Sequence, residues 1–308
     1  MLEKIKFNTD LEINLSDSIF TKPCYVFFSG GADSTLLLDL ISKRCMEMKN
    51  SDCYAVSYNA SHYSQAKYQV EDIYREHIIS KLRDKGRRIE RINLNLSITD
   101  YHYFISPNYE LANNGGACQQ LSWIGNALLF LKSDANLFFG YNYEDSTFWR
   151  YGSEWKTIFK NMIEISGHKS INLYLPLASF LKSNIIMQLH ENDLFNDVWS
   201  CENDEYMRVS TSMKKACGQC SSCIHNISAL LDITRNTNNR KNAEWARNIL
   251  ENYYNVIIKD SNYKQIVKNE IIKNKEKIID EPKSSLNDIN ENIKLDNEDY
   301  SSQYNFNI

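Results

Sequence analysis

The chain has 308 residues, 43% of them hydrophobic, enough for one substantial core and a smaller second unit, which excludes a fibre or a wholly disordered chain. Its net charge of −4 argues against a broad nucleic-acid-binding face, because phosphate contacts require clustered cations over much of a domain, and RNA is a disfavoured partner. No stretch approaches the roughly 18 apolar residues of a membrane span, and no opening segment joins positive charge to an apolar run, so the expected location is the cytoplasm, with no membrane partner.

Residues 1–23 form an N-terminal extension whose alternating stretch "KIKFNTDLEINL" predicts an extra edge strand or hairpin. From Cys24 the chain alternates. "CYVFFS" (24–29), "CYAVSYN" (53–59), "RINLNL" (91–96), "NLFFGYN" (136–142) and "INLYLPL" (171–177) read as strands, with helical stretches at 64–86, 117–133 and 153–165 among them. Strands separated by helices are joined by crossovers and run parallel, so 24–180 is expected to be an α/β unit with a doubly wound parallel sheet. Beyond about residue 180 the strand signal stops, and 181–257 is expected to be a helical region around a cysteine cluster. In 258–308, the pairs Ile266/Val267, Ile271/Ile272 and Ile278/Ile279 among lysines suit an amphipathic helix, followed from Pro282 by a flexible acidic tail. No internal repeat is evident.

The first strand stops at Ser29, Gly30, Gly31, Ala32, Asp33 and Ser34, then turns into a leucine-rich helix. Gly-Gly alone there is a tight turn, with Asp33 or Ser34 as the helix cap. The longer string suits a phosphate: glycines permit close approach, backbone N–H groups face an anion at a helix N-terminus, and the hydroxyls of Ser29, Ser34 and Thr35 add donors. Asp33 is placed to hold Mg²⁺. The loop is not G-x-x-x-x-G-K-[ST], so γ-phosphate transfer is not implied.

Half of the eight cysteines fall in one short stretch: Cys201, then Cys217, Cys220 and Cys223 in "CGQCSSC". Such spacing in a reducing compartment points to metal, and four sulfurs with no open position suit a structural Zn²⁺; an iron–sulfur cluster is the rival. Binding free energy there becomes folding free energy for a loop poor in apolar residues.

The S-G-G-x-D-S string resembles the signature of the ATP pyrophosphatases of the adenine nucleotide alpha hydrolase-like fold. From about Tyr25 to Ala229 the chain further resembles the 7-cyano-7-deazaguanine synthases known as QueC. Tyr58 and His62 stand at the ends of the family's Y-G-Q-R-H, and Gly140, Asn142 and Asp145 match its G-x-N-x-x-D. Glu154 with Trp155 stands for Glu-Phe, "LPL" (175–177) followed by Lys182 is similar to P-L-x-x-x-x-K, and "WSC" (199–201) leads into the cysteines. The departures are local. Ala60 and Ser61 replace Gln and Arg, "NNGGACQQ" lacks the arginine of V-P-x-R-N, Y-P-D-C is lost within "STFWRYGSEW", and the gap from Cys201 to Cys217 is long. The nucleotide machinery thus resembles the family more than the acceptor pocket does.

The resemblance implies a ligase using ATP, Mg²⁺ and Zn²⁺ that places AMP on the carboxylate of 7-carboxy-7-deazaguanine, admits ammonia to form an amide, and adenylates again to reach the nitrile. On that reading Ser29 to Thr35 bind ATP, and Asp33, Lys182 and His62 are catalytic. Tyr58, Asn142, Asp145 and Glu154 contact substrate, and a homodimer is the family expectation. Three alternatives remain. A defence-associated relative would pass the deazaguanine to an amine of a partner protein, a tRNA thiolase would use Cys118 and the basic stretch 81–91, and a nucleotide-binding module would do no chemistry.

Overall fold

The apolar run that opens at Cys24 becomes the central strand of a parallel sheet. The structure, a computed structural model, describes residues 15–49, 52–60, 65–96, 123–132, 134–145, 152–168, 170–201, 220–237 and 239–259. Its strands are β1 (Cys24–Phe27), β2 (Cys53–Ala60), β3 (Ile89–Leu96), β4 (Asp134–Phe138) and β5 (Ser170–Tyr174). The helices are α1 (Ala32–Met48), α2 (Gln65–Asp84), α3 (Gly152–Ser166), α4 (Lys182–Glu191), α5 (Ser221–Asn236) and α6 (Arg240–Lys259), with a short helical segment at 123–128.

All pairings are parallel and the order is β3-β2-β1-β4-β5, with Cys24 opposite Cys53 on one side and Asn136 on the other. The expected doubly wound α/β sheet is what forms. The chain leaves β1 in one direction through β2 and β3, then returns to β4 on the far side. Its topological switch therefore lies between β1 and β4, where open α/β sheets leave a crevice beyond the strand ends.

Alternation along β1 separates two cores. Cys24, Val26 and Phe28 pack with Leu36, Leu37 and Ile41 of α1, Ile78, Ile79 and Leu82 of α2, and Ile185 and Leu189 of α4. Tyr25 and Phe27 face the other way, against Ile124 and Leu128 of the short helical segment and Phe159 of α3. Both faces are covered, which is why the strands read as continuous apolar runs. Helix α4 also supplies Ile186 and Met187 to a third cluster with Ile227, Leu230 and Ile233 of α5 and Ala246 and Leu250 of α6. One short helix thus joins the sheet to the helical region.

At the N-terminal edge, Asp17–Thr21 is a 3-10 turn; the alternating stretch expected to form an edge strand or hairpin lies, but for Leu15, outside the described residues. Phe20 is buried in the first core, and the Asn136 amide donates to the Ile19 carbonyl at 2.6 Å. A fixed carbonyl and a buried ring hold this turn against the sheet. The amphipathic helix and tail expected over 258–308 lie, beyond Lys259, outside the described residues.

Candidate functional site

Each element around the switch delivers one polar group to one place. The loop after β1 is held by its carbonyls. Arg75 Nε of α2 donates to the Ser29 carbonyl at 2.9 Å, the Trp199 N–H donates to Gly30 O at 3.0 Å, and Gly31 O accepts from Ser34 Oγ at 3.2 Å and Thr35 N at 3.0 Å. A peptide's C=O and the following N–H point in opposite directions, so the Gly31 carbonyl, held by Ser34 and Thr35, turns the Ala32 N–H outward, while the Gly31 N–H donates to Ser29 Oγ at 3.3 Å. The amides of Ala32, Asp33 and Ser34 begin α1 and have no intrahelical partner, which with the helix dipole makes an anion cradle. Gly30 sits at φ 86°, a conformation only glycine takes cheaply.

The loop after β4 lies directly on that turn. A Cβ on Gly140 would stand 3.1 Å from the Asp33 carbonyl carbon and 3.2 Å from Ser34 N, so the contact exists because residue 140 has no side chain. Asn142 Nδ2 then donates to Asp33 Oδ1 at 3.0 Å, and Asn142 N donates to Asp145 Oδ2 at 2.7 Å. The same loop binds the start of α4: Tyr143 N donates to Phe180 O at 3.0 Å and Lys182 N to Glu144 Oε1 at 3.2 Å. That fixes Lys182, whose ammonium pairs with Asp33 Oδ2.

Asp145 shows the electrostatics of the site. Burial pushes its pKa up to about 6, the negative Asp33 adds to the rise, and the Asn142 N–H, Lys182 and His225 offset it. Two neighbouring carboxylates beside a cradle of amides would be relieved by a divalent cation, and oxygen donors of this kind suit Mg²⁺. Around them opens a cleft of about 390 Å³, within the usual size of a small-molecule site.

The structure brings Ser29 to Ser34, Asn142, Asp145 and Lys182 together. Thr35 is fully buried at the base of the cradle, its Oγ1 without a partner among the described residues. Tyr58 lines the cleft, but its hydroxyl donates to the Trp123 carbonyl at 2.5 Å and its ring stacks on Phe27 at 6.0 Å. Burial raises its pKa, so the group serves as wall and donor, not as a base. His62, Cys217 and the side chain of Glu154 lie outside the described residues.

Sequence reasoning missed Arg75 and Glu71, a buried pair at 2.6 Å behind the loop, and Trp199, Ser200, Ser222 and Asn226. The first two stand at i and i+4 on α2, a spacing that ordinarily marks a solvated pair. Ser222 and Asn226 share one face of the helix that follows the cysteines, and that spacing was the signal available for them.

The sulfurs of Cys201, Cys220 and Cys223 lie within 4.8 Å of one another. Tetrahedral metal–sulfur bonds of about 2.3 Å put ligand sulfurs about 3.8 Å apart, so the triad fits one ion. Thiolates on different irons of a cluster are separated further by an iron–iron edge. Cys201 of this triad follows Trp199 by two residues, so the metal position and the phosphate loop are linked by a short covalent path and one hydrogen bond.

A family model described as queuosine biosynthesis protein QueC matches residues 124–234, a span that includes Gly140 to Asp145, Lys182 and the cysteines and abuts the phosphate loop in space. No curated protein matches the chain. Among solved structures, the U34-tRNA thiolase NcsA from Methanococcus maripaludis with its [4Fe-4S] cluster aligns over 77% of this chain and 72% of its own, with 13% identity and a TM-score of 0.43; likeness at that level carries no argument here. No described helix is long and apolar enough to cross a membrane. Over residues 124–234 the chain is thus similar to the queuosine biosynthesis protein QueC, and the S-G-G-x-D-S loop stands beside that stretch at the switch of a five-stranded parallel sheet.

Proposed function

We propose that the protein is an ATP-dependent, AMP-forming carbon–nitrogen ligase that activates the carboxylate of 7-carboxy-7-deazaguanine for attack by ammonia. The observation that carries this reading is the meeting of the amide cradle at residues 32–34 with Asp33, Asn142 and Lys182 at the switch point. A carboxylate oxygen attacks the α-phosphorus and pyrophosphate leaves; ammonia attacks the acyl carbon and AMP leaves with the oxygen, giving the amide. A second round puts AMP on the amide oxygen, and loss of AMP and a proton gives the nitrile.

No step requires an enzyme nucleophile, so the residues act by alignment and by neutralising charge. The backbone amides and the hydroxyls of Ser29 and Ser34 bind phosphate oxygens. Lys182, held against Asp33, is positioned to follow charge onto the departing pyrophosphate. Asp33 and Asp145 would hold Mg²⁺, which supplies charge neutralisation at the phosphates. Cys201, Cys220 and Cys223 with Cys217 would hold Zn²⁺ as a structural ion, one that fixes the chain leading to Trp199.

Mass spectrometry of the products from ATP, Mg²⁺, the deazaguanine acid and ammonia tests the reading: AMP, pyrophosphate and a deazaguanine amide or nitrile are expected. A mass increment on a partner protein, with no small-molecule product, would move the acceptor to a protein amine. Release of orthophosphate without AMP would overturn the reading.

A further inference from the structure

One lobe of the cleft, beside the phosphate loop where the Trp199 N–H donates to Gly30 O, is walled by the chain before Cys201 and the first turns of α5. Ser222 and Asn226 lie one helical turn apart on α5, and both line this lobe with Trp199 and Ser200. Two of these residues leave a buried polar atom with no hydrogen-bond partner among the described residues. Asn226 is 4% exposed; its Nδ2 donates to Ser200 Oγ at 2.7 Å while its Oδ1 accepts nothing. Trp199 is 7% exposed, packs its ring on Tyr74 at 5.1 Å, and its indole Nε1–H donates to nothing.

Buried polar atoms in folded proteins are paired, so an orphan in the wall of a cleft calls for a ligand group. Here there are two orphans of opposite sense, an acceptor and a donor, and the hydroxyl of Ser200, which follows Trp199 in the chain, holds the Asn226 amide. A lone ammonium could satisfy the first but not the second, and a carboxylate the second but not the first. A neutral N–H beside a C=O, as in a lactam, satisfies both.

We infer that this lobe is the subsite for the heterocycle of the second substrate, with Asn226 Oδ1 accepting a ring or exocyclic N–H and Trp199 Nε1 donating to a ring carbonyl. The inference deepens the proposed function and rests on it for the identity of the heterocycle, though not for the lactam chemistry. It makes Asn226 a specificity residue that the phosphate loop does not need. Ser200 can serve either end of the carboxamide, and the sign of the open group is therefore itself a test.

The experiment is calorimetric titration of full-length, metal-loaded protein with 7-carboxy-7-deazaguanine, guanine and α,β-methylene-ATP, using wild type, Asn226→Leu and Asn226→Asp. Asn226→Leu is expected to weaken both lactam bases by about tenfold, while Asn226→Asp, which keeps the acceptor, stays within about threefold. Affinity for the nucleotide analogue is expected to change less than about twofold in either variant. Unchanged base affinity in Asn226→Leu would overturn the inference, as would equal loss in both variants or nucleotide affinity that falls with base affinity. Wild type that binds the nucleotide but neither base would also overturn it. Wild type that binds the bases in an Asn226-dependent way but no nucleotide would uphold the subsite and overturn the proposed function instead.

Discussion

Asp33 joins the whole arrangement at residue scale: its backbone N–H belongs to the amide cradle, one carboxylate oxygen accepts from Asn142, and the other pairs with Lys182. Removing Lys182 leaves Asp33 without its cation and removes a charge from the developing pyrophosphate. Lys182→Ala is therefore expected to lower kcat by about 100-fold or more with a smaller change in the KM for ATP, measured by AMP formation. Equal activity would remove Lys182 from the mechanism.

Asp145 makes a prediction of the opposite kind, because its proton is held more tightly in the folded state than in the unfolded chain. With a pKa raised from 3.8 to about 6, the folded protein binds more protons across that window. Stability contributed by this group is thus present below about pH 4 and falls as pH rises to about 6. Asp145→Asn is expected to flatten that slope and to raise stability near pH 7 by about 1–3 kcal/mol, read by urea denaturation at both pH values, while lowering turnover. A variant no more stable than wild type at pH 7 would mean that the Asp145 carboxylate is not strained by its surroundings.

At the scale of elements, the phosphate loop is shaped from behind by α2 and from the side by the β4–α3 connection. Arg75→Lys keeps the charge but not the geometry that serves the Ser29 carbonyl and Glu71 together, and is expected to weaken ATP binding by about tenfold. Gly140→Ala would press a methyl onto Asp33 and Ser34, displacing the first turn of α1 at a cost of about 1–3 kcal/mol and weakening ATP binding, as titration would show. Normal nucleotide affinity in both variants would mean that the loop holds its shape without these supports. The loop itself was legible in the sequence because strand, glycines, cap and helix are contiguous. Arg75 was not, because a Glu71–Arg75 spacing looks the same on a solvated helix, and only the placement of α2 across the loop buries it. Tyr58 was legible as a cleft residue, but its hydroxyl bond to Trp123 depends on a segment distant in sequence.

For the whole molecule, the parallel sheet could be read from alternating strands and helices, but the order β3-β2-β1-β4-β5 could not. Which side of β1 receives β4 is decided by tertiary packing, notably Asn136 reaching the Ile19 carbonyl and Phe138 joining the first core. The metal position is tied to this architecture through Trp199, so stripping the metal with a chelator is expected to lower both the melting temperature and ATP affinity. Retained ATP affinity in the stripped protein would uncouple the two.

The central claim is that ATP is cleaved between its α and β phosphates by a carboxylate substrate at this loop. Exchange of labelled pyrophosphate into ATP tests it most directly. The account predicts exchange that requires 7-carboxy-7-deazaguanine, proceeds without ammonia, and disappears in Asp33→Asn. Exchange independent of the acid, or hydrolysis to ADP and orthophosphate with no exchange, would contradict it.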